Sequence, residues 1–310
     1  MGHWNLGGLL MVTIIGFIAG WVLNNKSRWW QWPSDNKFLK DKLPWLYAAL
    51  LILMVVPLAA QSPTPYPHEP AGFVKITELG FNQSGEAGWQ RSGGYRADAT
   101  SPWSPGSVLR FTKAARSSAT SFSPGAFDAP RFAVRDLYVF GAFRLDPKYS
   151  ANPSNVNKLG IFIGINRGAQ VFFNGFGGGK GFAAPLQAQV NVQGAVPSLG
   201  GNSPSRDGHF GSRGALTRGR WYYVALRCRL NTYGKADGLL EGWLIDAETG
   251  VEVQFLNKTN AALIGQGTIP ATSASSMIDV LRMNAIHGGG VVTLPAPTWI
   301  EWDHLYASGR

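Results

Sequence analysis

Between Trp221 and Leu230 the side chains alternate, and one set of them could do chemistry. Trp221, Tyr223, Ala225, Arg227 and Arg229 share a strand face, which sets a phenol beside two guanidinium groups. A guanidinium pairs with a carboxylate in a two-point geometry, and an aromatic ring stacks on a sugar. That face therefore reads as a basic, aromatic groove for an acidic or sugar ligand, or as two solvated arginines beside a packed tyrosine. The opposite set, Tyr222, Val224, Leu226, Cys228 and Leu230, is apolar and belongs in a core. Asn231–Gly238 supplies turn residues, and Leu239–Asp246 runs back as the second strand of a hairpin.

Other chemical patterns fail on spacing. GFGGGKG (Gly175–Gly181) lacks the glycine spacing of a phosphate loop and the Ser/Thr after Lys180. HGGG (His287–Gly290) is half of an oxyanion-hole signature, but no Gly-x-Ser-x-Gly elbow accompanies it. His3, His68, His209, His287 and His304 do not pair at ligand spacing, so no metal site is expected, and no cofactor is implied. Glu301 and Asp303 share a strand face, as a glycosidase pair or as a solvated edge. Cys228 is the only cysteine, which excludes a disulfide framework within the chain.

These residues need an all-β scaffold. With 39 glycines, 19 prolines and 15% charged residues, the composition favours short strands and many turns. Strands are expected at Phe73–Ile76, Val108–Phe111, Asp136–Leu145, Leu159–Ile165, Gln170–Phe173 and Leu186–Val192. Others are expected at Trp221–Leu230, Leu239–Asp246, Val251–Leu256, Met277–Asn284 and Trp299–Tyr306. Ala261–Gly265 could form a short helical turn, while Gly80–Ser107 and Gly194–Arg218 read as long loops. Many strands without intervening helices predict a sandwich of two antiparallel sheets. The net charge of +10 is scattered, which argues against nucleic acid as a partner.

The first 61 residues differ in kind. Leu6–Leu23 and Leu43–Ala60 are apolar and free of charge, each about 27 Å long as helix. The loop between them, residues 25–42, holds Lys26, Arg28, Lys37, Lys40 and Lys42 against Asp35 and Asp41. Excess positive charge places such a loop in the cytoplasm, so residues 1–61 are expected to form a transmembrane helical hairpin in a bacterial-type inner membrane. The alternative is an internal signal sequence cleaved near Ala60, against which stands Leu58, where a small residue is wanted. Residues 62–70, SPTPYPHEP, read as an extended Pro-rich linker to a periplasmic or extracellular domain spanning 71–310.

NKLGIFIG (Asn157–Gly164), GRWYYVALRCRLNTYGKADGLLEGWLID (Gly219–Asp246) and MNAIHGGG with APTWIEWDHLYAS (Met283–Ser308) occur in the order of three family blocks. Over about Asp136–Ser308 the chain resembles polysaccharide lyases of the alginate and glucuronan lyase type, which implies a concanavalin-like jelly roll. The block around Leu230–Gly238 carries the most specific match. The resemblance implies that Lys158 stands where the family has its catalytic lysine. It places Gln187 and Gln189 where the family has Ser-x-Arg. No tyrosine occurs between Gly194 and Gly219, where Tyr-x-Tyr would follow. β-Elimination on a uronate needs a group to neutralise the carboxylate, a base and an acid. The expectation is therefore a lyase-like scaffold with most of its catalytic set gone. It would act as a glycan-binding module, with acidic polysaccharide as a possible partner, or as an accessory subunit of a membrane complex. The alternative is an active lyase working through Lys158.

Overall fold

The computed structural model describes residues 66–81, 94–103, 106–115, 127–151, 156–166, 169–177, 186–193, 208–265, 273–288 and 296–310. The chain divides into two compact units, Met1–Pro63 and Thr64–Arg310. All the described residues belong to the second, so the expected membrane hairpin and residues 62–65 of the linker lie outside them.

Two antiparallel sheets make up the described unit. One sheet contains β1 (Val74–Leu79), β2 (Gly94–Asp98), β3 (Gly106–Lys113), β5 (Asp136–Leu145), β10 (Trp221–Arg229), β11 (Gly238–Asp246), β12 (Glu252–Ala261) and β14 (Thr298–Gly309). The order across it is β12-β11-β10-β5-β14-β3-β2, and β1 pairs with the second half of β14. The other contains β4 (Phe127–Asp128), β6 (Val156–Ile165), β7 (Gln170–Gly177), β8 (Leu186–Gln193), β9 (Gly208–Leu216) and β13 (Ile278–Gly288). Its order is β4-β13-β6-β7-β8-β9.

The apolar alternation turns each sheet inward. Val139 and Phe143 of β5, and Val224 and Leu226 of β10, meet Ile161 and Ile163 of β6 and Val190 and Val192 of β8 in one continuous core. Trp302 of β14 is fully buried there, and its indole N–H donates to the Leu159 carbonyl at 3.0 Å, tying one sheet to the other. A methyl group on Gly160 would stand 2.5 Å from that indole nitrogen. Gly160→Ala is therefore expected to displace Trp302 and lower stability by about 2–3 kcal/mol, an overpacking effect that urea unfolding would measure.

The most family-like block has a structural task. Asn231 is fully buried. Its Oδ1 accepts from the N–H groups of Leu263 and Ile264 at 2.7 and 2.9 Å. Its amide nitrogen donates to the carbonyls of Thr232, Lys235 and Ile264. This clamp holds the residues after Ala261, the end of β12, as an irregular segment buried through Ile264, rather than the helical turn expected over Ala261–Gly265. Truncating it leaves several buried backbone groups without partners, so Asn231→Ala should cost about 3 kcal/mol, read as a lower urea midpoint at unchanged slope.

Three further differences from the sequence reading stand out. β9 forms inside Gly194–Arg218, and β2 inside Gly80–Ser107, both expected as loops. Glu301 and Asp303 are not at a solvated edge: both are fully buried. Glu301 receives Arg110 at 2.7 Å and Arg144 at 2.6 Å, while Asp303 accepts the Trp103 N–H at 2.8 Å. Finally, the second half of the expected linker does not stand clear of the domain. Tyr66 stacks on Tyr306 at 3.7 Å and bonds Glu78, and His68 stacks on Trp243 at 4.3 Å and pairs with Glu252 at 2.9 Å. Rather than staying extended, the segment turns twice, with Glu69 N–H donating to the Tyr66 carbonyl and Phe73 N–H to that of Pro70, and aromatic burial against the eight-stranded sheet decides where it lies.

Candidate functional site

The outer face of the six-stranded sheet gathers amides around a lysine. Inward positions on β6, β7 and β8 are apolar: Leu159, Ile161 and Ile163, then Val171 and Phe173, then Ala188, Val190 and Val192. Period two sends the residues between them outward. Strand register sets Lys158 beside Asn174, and Asn174 beside Gln189, so three strands contribute one polar row. The next row runs Arg282, Phe162, Phe172, Asn191 and His209 by the same pairing. Gln187 and Gln193 complete the outward set of β8, opposite Phe176 and Gln170.

Lys158 is 7% exposed. Its ammonium sits 3.3 Å from the centre of the Phe172 ring and donates to Gln193 Oε1 at 3.2 Å. The ring face attracts the cation, and the amide oxygen accepts from it. Phe172 in turn packs on Phe162 at 4.8 Å. A two-residue bulge between Lys158 and Phe162 sets this geometry, with Gly160 backed on Trp302. At the far edge Arg282 is held by Asp128 at 2.9 Å, and those bonds keep its guanidinium pKa above the ordinary value. Gln189, Asn191 and Asn174 are all buried.

The sequence-predicted residues fall into two groups. Lys158, Gln187 and Gln189 come together on this face. Tyr223, Arg227 and Arg229 lie on β10, on the outer face of the other sheet, and do not join them. Arg227 is engaged by Asp136 at 3.0 and 2.9 Å and by Glu241 at 3.4 Å. The Asp136 bonds raise its pKa against the effect of burial. Tyr223 stacks on Phe140 at 5.6 Å and meets Trp103 edge-on; burial, then the Asp303 charge, push its hydroxyl up. Arg229 reaches the Asp237 carbonyl at 3.4 Å. Cys228 lies in the core, where burial raises its thiol to about 12.

Sequence reasoning passed over Asn174, Asn191, Gln193 and the register position of His209. The first signal was available: Gln187, Gln189, Asn191 and Gln193 alternate without a break through β8. Asn174 and His209 become neighbours of that set only through pairing. The amides of this face can both donate and accept hydrogen bonds, and Lys158 adds an ammonium donor among them. None of the strands of this sheet contains a tyrosine. Among the described residues there is no cluster of His, Cys, Asp and Glu that could hold a metal ion.

Two stacked antiparallel sheets, one of them with a polar outer face, define a jelly-roll sandwich. Its structural neighbours include an endo-β-1,4-glucuronan lyase from the fungus Trichoderma reesei, at 13% identity and TM-score 0.50 over 76% of this chain and 96% of that one. They also include the marine alginate lyase from Aplysia kurodai, at 10% identity and TM-score 0.49 over 76% of this chain and 100% of that one. Alginate lyase Aly36B aligns at 15% identity and TM-score 0.48, over 66% and 81%. No protein-family model matches the chain, and no curated protein matches it in sequence.

Proposed function

We propose that the chain is a membrane-tethered glycan-binding protein that holds a polysaccharide on the outer face of its six-stranded sheet without cleaving it. The observation that carries this reading is the registered row Lys158–Asn174–Gln189 on a sheet whose strands contain no tyrosine. Amides and one ammonium recognise hydroxyls and carboxylates, whereas β-elimination also needs a base and an acid. The charge-free blocks Leu6–Leu23 and Leu43–Ala60 around a basic loop support an inner-membrane hairpin with the large domain outside the cytoplasm. Gly7, Gly8, Gly16, Ala19 and Gly20 would let the first span pack closely on other helices, as an accessory subunit of a membrane complex requires.

An active lyase is the second reading, and it is favoured by Lys158, which stands where the resemblance places the family's catalytic lysine. Incubating the full-length protein with alginate, glucuronan and polygalacturonate separates the two. Binding that falls at least tenfold in Lys158→Ala, with no rise in absorbance from unsaturated ends, supports the binding protein. A Lys158-dependent rise in absorbance establishes the lyase instead, and absence of binding to any glycan removes both.

A further inference from the structure

The end of the sandwich where β9 passes into β10 carries a second concentration of chemistry. A cavity of about 360 Å³ opens there, walled by Pro147, Lys148, Tyr149, Arg218 and Ala296. That volume lies in the lower part of the range used for small-molecule sites. The wall is built by three connections between strands. Pro147–Tyr149 follow β5, Arg218 lies in the turn between β9 and β10, and Ala296 leads into β14. Gly219 fixes the β9–β10 turn: it adopts φ +80°, packs on Pro147 and donates to the Leu145 carbonyl at 2.9 Å. Arg218 Nε then donates to the Tyr149 carbonyl at 2.7 Å.

Behind this wall stands Lys113. It ends β3 on the inward side, in line with Leu109 and Phe111, and is fully buried. Its ammonium donates to the Tyr149 hydroxyl at 3.3 Å and lies 5.3 Å from the ring centre. Tyr149 is itself fully buried and belongs at once to the cavity wall and to the Lys113 contact. Lys113 and Arg218 thus reach one tyrosine from two segments, and Lys148 joins Arg218 at the cavity wall. The adjacent carboxylate, Asp146, is engaged in its own turn, where it accepts the Lys148 N–H at 2.8 Å.

Such a cluster is costly in isolation. The buried ammonium has lost its hydration, and the like charges repel. Both costs fall when an anion occupies the adjoining space. We infer that the cavity beside Tyr149 is an anion site that takes one small carboxylate, with Arg218 and Lys148 at its wall and Lys113 behind it. The carboxylate could belong to a free organic acid or to a uronic acid residue. The site shares no residue with the amide rows, so it stands or falls independently of them.

Linkage gives the site a signature. Burial lowers the Lys113 pKa to about 7, so the group is only partly charged near neutrality. An anion that binds better to the charged form must strengthen as pH falls through that value, and must in turn raise the lysine's proton affinity.

The test is calorimetric titration of the full-length chain with acetate, glucuronate and glucose at pH 6 and pH 8. Binding of at least one carboxylate, tighter at pH 6, with none for glucose, is expected. Acetate alone identifies a free-acid site; glucuronate alone identifies a uronate site. Lys148→Gln, at an exposed position that leaves the fold intact, should weaken binding about tenfold, the effect of a lost charge-assisted contact. Lys113→Met should remove the pH dependence. Equal binding of glucose, no binding of either acid, or affinity unmoved by both variants would overturn the assignment.

Discussion

Lys113→Met is expected to raise the unfolding temperature at pH 7 by roughly 6–12 °C, the effect of about 3 kcal/mol on a domain of this size. The ammonium is fully buried with the Tyr149 hydroxyl as its hydrogen-bond partner, and burial alone lowers its pKa from the ordinary lysine value to about 7. The unfolded chain, by contrast, holds this proton up to a pH of about 10.4. Between those values the unfolded state binds more protons than the folded one, so stability must rise with pH across that window. Below about pH 7 both states carry the proton and the penalty is constant. Methionine fills the space without the charge. The gain it brings should therefore be largest at pH 7 and below and shrink toward pH 10. Thermal scans across that range check both size and slope. A parent protein whose stability is flat from pH 7 to 10 would show that the ammonium is compensated in the folded state.

Glu301→Gln should have the opposite effect, lowering stability by about 3–5 kcal/mol, because one neutral amide replaces the charge that two guanidinium groups share. Glu301 is fully buried on β14 and receives Arg110 at 2.7 Å and Arg144 at 2.6 and 3.1 Å. Arg144 is also paired with Asp98, and its guanidinium lies over the rings of Trp221 and Trp299. Burial alone would raise the Asp98 carboxyl, but bonds from Thr100 and the Arg144 charge hold it below its ordinary value. Arg110→Gln removes a group that is 26% exposed and should cost distinctly less than Glu301→Gln. Guanidinium-chloride unfolding of both variants gives the ranking, and the reverse order would show that Glu301 is not the hub.

These two groups mark the limit of pattern reading. Lys113 sits at the end of a strand and Glu301 in an alternating strand, where either reads equally well as solvated. Only tertiary packing removes water from their surroundings: Lys113 meets Tyr149 in the interior, and Arg110 and Arg144, with Trp299 and Trp221 against them, enclose Glu301. Cover of the same kind reassigns the Tyr223, Arg227 and Arg229 face, where Trp103 meets Tyr223 and Phe73 lies against Arg227. Its alternation was legible, but Asp136, which engages Arg227, arrives from β5, far off in sequence.

Local chemistry determined a good deal. The period-two run from Trp221 to Leu230 places Tyr222, Val224, Leu226, Cys228 and Leu230 in the core, as expected. Asp136–Leu145 forms β5 with the expected bounds, and the two-sheet sandwich follows from such runs punctuated by Gly and Pro. β9 was not legible, because GHFGSRGAL has no steady apolar alternation and its strand state comes from pairing with β8. A side chain's inward or outward sense is a property of its own strand, so the sequence alone determined the core and the amide face of β8. Which strands become neighbours, and therefore that Lys158 meets Asn174 and Gln189 while Arg227 faces the opposite side, depends on contacts between distant segments. That was decided only when the two sheets closed on each other.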